Sequence, residues 1–136
     1  MTSSSVPVSR ATMRGARARV LVVDDDAMVG IALSRLLAPD HDVTALTAAR
    51  AAFERIVRGE RYDVIFCNVM MPFMTGPEFH AELDRVVPEQ AKRIVFMTGG
   101  PFTPAAREFL DHTHALRVEK PFDTVTLRSV VERFVA

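Results

Sequence analysis

Three short runs of uninterrupted apolar residues, 20–23 (VLVV), 64–67 (VIFC) and 94–97 (IVFM), each stop at a polar residue. That pattern constrains the fold more than any other feature of the chain. A strand with one wet face alternates apolar and polar residues. A run without alternation reads as a strand covered on both faces, as in a parallel sheet flanked by helices. The middle run ends at Asn68 and passes into a loop punctuated by Pro72 and Gly76, which cannot continue a strand. In sheets of this kind the C-terminal ends of the strands line the crevice where ligands bind. Asn68 is therefore the residue best placed to do chemistry.

The segments between the runs carry helical spacing. Val29, Leu33, Leu36 and Leu37 share a face and stop before Pro39. Residues 40–42 read as a turn and 43–46 as a short edge-like strand. Thr47 is the expected cap of a second helix, with Ala49, Ala52, Phe53, Ile56 and Val57 on one side and a stop near Gly59. A third helix is predicted over about 77–87, with Phe79, Leu83, Val86 and Val87 inward. Thr103 before Pro104 is an N-cap followed by a favoured first helical residue. After a last strand at 116–118, Asp123 caps a final helix that buries Leu127, Val130, Val131 and Phe134. Five strands alternating with five helices imply a parallel sheet with helices on both faces. The expected domain is 19–136. Residues 1–18, rich in Ser, Ala and Arg with no acid, read as a disordered segment or linker.

Composition narrows the function classes. A net charge of zero gives no overall field that recruits nucleic acid or an anionic membrane surface. No apolar run approaches the roughly 18 residues of a membrane span. The single cysteine, Cys67, rules out an internal disulfide and fits a reducing compartment, the cytoplasm by default. Buried in a strand, Cys67 reads as packing. His41, His80, His112 and His114 lack metal-ligand spacing and read as solvated or loop histidines. Met70, Met71 and Met74 read as loop and core filler, and Arg107, Arg117, Arg128 and Arg133 as a solvated face.

The strand ends carry the polar residues: Asp24, Asp25 and Asp26 after the first, Asn68 after the third, Thr98 after the fourth and Lys120 after the fifth. Clustered carboxylates repel one another unless a cation sits among them, and oxygen ligands with room for water suit Mg²⁺. A lysine and a hydroxyl opposite that cation match the peripheral oxygens of a phosphoryl group. Lys120 is one of only two lysines in the chain. Asp26 alone reads as a helix N-cap.

In this order and spacing, VLVVDDD, DVIFCNVMMPFMTG, VFMTGG and VEKPF resemble the response-regulator receiver domain of two-component signalling. The resemblance implies a flavodoxin-like (βα)5 fold, a doubly wound parallel sheet with strand order 2-1-3-4-5. It assigns Asp24 and Asp25 to the acidic pair that organises Mg²⁺ and Met70 to a backbone carbonyl of the metal site. Thr98 falls on the switch hydroxyl, Gly99 on the small residue beside the phosphoryl site and Lys120 on the phosphate-binding lysine. The Lys120–Pro121 bond is usually cis in the family. The stretch from FMTGG to VEKPFD is also similar to receivers of hybrid sensor histidine kinases. Implied partners are a histidine kinase or phosphotransfer domain, or a second receiver, with no enzymatic activity, nucleic acid or direct membrane contact.

Two positions depart from the family pattern. Asn68 falls on the phosphoacceptor, normally Asp. An amide is uncharged and a far poorer nucleophile than a carboxylate, so phosphoryl acceptance is not expected of the chain as written. Loss of one negative charge also predicts weaker Mg²⁺ binding. Arg117 falls where many relatives carry an aromatic that rotates on activation. These departures motivate an alternative, a phosphorylation-independent interaction module docking through the fourth predicted helix and the fifth strand. A remote alternative is a haloacid-dehalogenase-like phosphohydrolase, whose strand-then-Asp-x-Asp pattern residues 20–26 resemble. Met28 and the lack of a later acidic pair at a strand end fit it poorly.

Overall fold

The computed structural model describes residues 17–38 and 40–135. Within them the chain forms β1 (Arg19–Val23), α1 (Ala27–Leu37), β2 (Asp42–Leu46), α2 (Ala49–Val57), β3 (Val64–Asn68) and α3 (Gly76–Val86). It continues through α4 (Pro88–Ala91), β4 (Ile94–Thr98), α5 (Pro104–His112), β5 (Leu116–Glu119) and α6 (Thr124–Val135). The sheet order is β2-β1-β3-β4-β5, and every neighbouring pair is parallel. The parallel sheet is the one expected from the apolar runs, and its flavodoxin-like order is the one the resemblance implies.

Because successive strand residues point to opposite faces, each run feeds two cores. Leu21, Val23, Ile65, Cys67 and Phe96 pack with Ile56 of α2, Phe79 and Leu83 of α3 and Leu110 of α5. Val20, Val22, Phe66, Val95 and Met97 pack on the other face with Leu33 and Leu37 of α1 and Leu127 and Val131 of α6. Burying each such side chain contributes roughly 1.5–3 kcal/mol, and the doubled coverage explains why these strands do not alternate. The first crossover comes very close to the sheet, since a Cβ on Gly30 of α1 would lie 2.7 Å from Cβ of Ala45 on β2.

Several local expectations are corrected. A sixth helix, α4, fills the four residues Pro88–Ala91, starting at a proline that suits a first helical turn. Thr47 does not cap α2; the N-cap is Ala48, with no side-chain bond. Val57 and Val86 are exposed, because each helix offers the sheet a narrower stripe than the spacing suggests. The strand at β2 begins inside the expected turn, at Asp42.

His41 and His80 are not solvated. His41 is buried, and its Nδ1 accepts the Ala18 N–H at 3.2 Å. His80 lies against the rings of Phe96 and Phe109. The expected linker over 1–18 lies outside the described residues up to position 16. Ala18 is fully buried, and Arg17 Nε lies 2.8 Å from Asp42 Oδ1, so these two pack with the domain.

Candidate functional site

Sheet hydrogen bonding carries the site residues past the ends of the strands. Asp24 N–H donates to Leu46 O at 3.1 Å, one residue beyond β1, and Lys120 N–H donates to Thr98 O at 2.7 Å, just beyond β5. After β3 the loop folds back, with Gly76 N–H donating to Val69 O at 2.8 Å. Only glycine fits there, because a Cβ would come within 2.5 Å of Asn68 O. Thr75 and Glu78 then start α3 with reciprocal capping bonds. The loop also holds Phe73, fully exposed and at φ 69°, a conformation unusual for an aromatic residue.

Four segments meet at the crevice. Lys120 Nζ donates to Asp24 Oδ2 at 2.9 Å and to Asn68 Oδ1 at 3.3 Å. Asn68 Nδ2 donates to Met70 O at 2.8 Å and reaches Asp25 Oδ1 at 3.3 Å. The amide orientation is set by its surroundings, with acceptors on the nitrogen side and an ammonium on the oxygen side. Asp24 is buried, and its second oxygen accepts the Asp26 N–H at 2.9 Å. A carboxylate so removed from water needs both partners. Gly99 gives the lysine stem room, since a Cβ there would lie 2.8 Å from Lys120 Cβ.

The structure therefore brings Asp24, Asp25, Asn68, Met70, Gly99 and Lys120 together. Thr98 is adjacent through its backbone, but its buried hydroxyl is directed at Val118 O, 3.4 Å away in β5, not at the cluster. Asp26 caps α1 by accepting the Met28 N–H at 3.0 Å, which engages the second acid of the Asp-x-Asp pattern. Burial, with the Asp24 charge adding to it, pushes the Cys67 thiol far above its ordinary value, so it stays protonated. The Lys120–Pro121 bond is cis. The sequence marked Gly76 only as loop punctuation; its close approach to Asn68 O appears only in the folded loop.

Among the described residues, no group of three or more His, Cys, Asp or Glu side chains could hold a metal ion. Asp24, Asp25 and the Met70 carbonyl are the hard oxygens that Mg²⁺ takes. Asn68, however, turns its NH₂ and not its oxygen toward Asp25 and Met70. The amide nitrogen already engages the Asp25 and Met70 oxygens, and as arranged the set does not fit a tightly held Mg²⁺. Among the described residues no helix is long and apolar enough to cross a membrane.

Comparison with known proteins gives the same fold. The family model described as response regulator receiver domain matches residues 20–132. A protein-glutamate methylesterase/protein-glutamine glutaminase of Anaeromyxobacter dehalogenans is 35% identical over 106 residues, 76% of this chain and 29% of that protein. An uncharacterized response regulatory protein of Vibrio cholerae is 27% identical, over 85% of this chain and 47% of its own length. The chain thus spans less than half of these curated relatives. Among solved structures, the chemotaxis protein CheY4 of Vibrio cholerae is 29% identical, with TM-score 0.70 over 89% of this chain and 100% of that one. A sensor histidine kinase receiver domain from Pseudomonas aeruginosa, solved with magnesium in its active site cleft, has TM-score 0.73 at 21% identity, covering 88% of this chain and 98% of that one.

Proposed function

The chain belongs to the response-regulator receiver family of two-component signalling, and from that premise we propose that it is a receiver whose phosphoacceptor position is filled by Asn68. Receiver domains are regulatory, and this one is read as a cytoplasmic module of a hybrid sensor histidine kinase that docks a histidine kinase or phosphotransfer domain. The N-terminal segment or linker expected over 1–18 is read as ending before Arg17, since Arg17 and Ala18 pack with the domain. The observation that carries the reading is the Asn68 side chain. Its oxygen faces Lys120 and its nitrogen faces Asp25 and Met70, so the pocket's polar groups pair without a phosphoryl group. Mg²⁺ binding through Asp24, Asp25 and Met70 is correspondingly weak.

The test is labelling by a small phosphodonor in the presence of Mg²⁺. Freshly prepared chain should remain unlabelled, whereas Asn68→Asp should be labelled in a Lys120-dependent way. A folded Asn68→Asp that stays unlabelled would remove the proposal.

A second reading is a docking module that works without phosphorylation, with a kinase or another receiver as partner. It is favoured by Arg117, which is exposed on β5 at the position where relatives carry a rotating aromatic. Arg107 is exposed on α5, its guanidinium 5.8 Å from the Phe102 ring centre. Partner affinity indifferent to phosphodonor but lost on charge reversal at both arginines supports this reading; affinity that survives the reversal excludes it.

A further inference from the structure

We propose that the side-chain amide of Asn68 is hydrolysed in place, so that the folded chain converts this residue into aspartate. The inference deepens the proposed function and rests on the same pocket. It makes Asn68 a modification site whose product is the carboxylate a phosphoacceptor needs.

The groups around the amide are those that amide hydrolysis uses. Attack at Cγ places negative charge on Oδ1, and the Lys120 ammonium already lies 3.3 Å from that atom. A fixed cation aimed at a developing oxyanion stabilises the transition state without reorganising. Lys120 is held for the purpose by Asp24 at 2.9 Å, and Gly99 leaves its stem a path. On the other side, Asp25 Oδ1 lies 3.3 Å from Nδ2. An exposed carboxylate there can take a proton from an arriving water and return it to the departing nitrogen. The bond to Met70 O fixes the plane of the amide, and Asn68 is only partly buried, so water can reach it.

Atoms balance with water as the one co-reactant. The water oxygen bonds to Cγ while its proton passes to Asp25. The Cγ–Nδ2 bond then breaks, and nitrogen leaves as ammonia with the proton from Asp25. The new carboxylic acid ionises, leaving carboxylate and ammonium. The product keeps its attraction to Lys120 but loses the N–H bonds to Asp25 and Met70, and it now repels Asp25. A pocket closed by an amide becomes one with three carboxylates.

The chain suits a clean test, because Asn68 is its only asparagine and Gln90 its only glutamine. Gln90 is buried with both ends of its amide bonded to the Tyr62 backbone, which makes it an internal control. Folded chain is held at neutral pH and physiological temperature, and the peptides carrying positions 68 and 90 are followed by mass spectrometry with fragment ions that separate aspartate from isoaspartate. Position 68 should become ordinary aspartate while Gln90 persists. Conversion should slow at least about tenfold in chain unfolded by denaturant, in Lys120→Met and in Asp25→Ala. If Lys120→Met does not fold, Asp25→Ala, which removes an exposed side chain, decides the matter.

Persistent Asn68, isoaspartate as the main product, an equal rate in the unfolded chain, or an unchanged rate in Asp25→Ala would each overturn the inference. Intact Asn68 alongside a labelled Asn68→Asp sinks it and leaves the proposed function standing. An unlabelled, folded Asn68→Asp removes the proposed function whatever the rate of hydrolysis.

Discussion

Lys120 Nζ and Asp24 Oδ2 lie 2.9 Å apart, joining residues that 96 positions of chain separate. Asp24 is buried, and the lysine side chain retains 28% exposure. Removing the cation strands the carboxylate away from water. Lys120→Met should therefore cost about 1–3 kcal/mol, less than the roughly 3–5 kcal/mol of a fully buried pair because the lysine is partly wet. Adding Asp24→Asn should recover more than half of the loss. Urea unfolding of both single variants and the double variant measures it.

The glycines of the site should not respond alike to a methyl group. Alanine at Gly76 would drive a Cβ to 2.5 Å from Asn68 O and 3.1 Å from Val69 Cα, both backbone atoms that cannot step aside. A loss of about 1–3 kcal/mol or more is expected. At Gly100 nothing lies within 4 Å of the added carbon, so Gly100→Ala should stay within about 0.5 kcal/mol of the parent. Thermal unfolding of the pair tests the contrast.

Phe73 adopts φ 69° while its side chain is fully exposed. The left-handed conformation costs an ordinary residue roughly 1–2 kcal/mol, and no buried contact offsets it here. Asparagine tolerates that region, so Phe73→Asn should stabilise the chain by about 0.5–1 kcal/mol. The β-branched Phe73→Val should destabilise it. Denaturation midpoints give both signs.

Burial lowers the basicity of His41, with the Arg128 and Arg17 charges adding to it and Asp40 opposing. Burial lowers His80 as well, opposed by Asp84. The unfolded chain therefore binds protons that the folded chain does not. Stability is full above the ordinary imidazole value and is lost as pH falls below it toward the depressed folded values. Unfolding free energy should fall between about pH 7 and pH 5, and the slope should flatten in His41→Asn combined with His80→Phe. An unchanged slope in that variant would contradict the assignment.

Most of the fold was legible because its signals are local. The runs ending at Asp24, Asn68 and Thr98 mark strands that are covered on both faces, and the caps at Asp26 and Thr103 need only residues within one turn. What escaped depends on distant chain. His41 and His80 look solvent-facing until Ala18 and the Phe96–Phe109 pair are folded against them. The α2 N-cap lies at Ala48, one residue past the expected Thr47, and makes no side-chain capping bond. The strand-end residues could be enumerated from the sequence, but not which way the Asn68 amide turns. That depends on Asp25 and Lys120, 43 and 52 positions away.

The central claim is that the Asn68 amide, bonded to Asp25 and Met70, would leave Asp24, Asp25 and the Met70 carbonyl a weaker hold on a divalent cation than a carboxylate at this position would. The most direct measurement is the unfolding free energy of the freshly prepared chain and of Asn68→Asp as Mg²⁺ is raised. A cation that binds the folded state at ten times its dissociation constant adds about 1.4 kcal/mol. The account predicts such a gain for Asn68→Asp and none at the same concentration for the parent. Equal stabilisation of the two chains would contradict it.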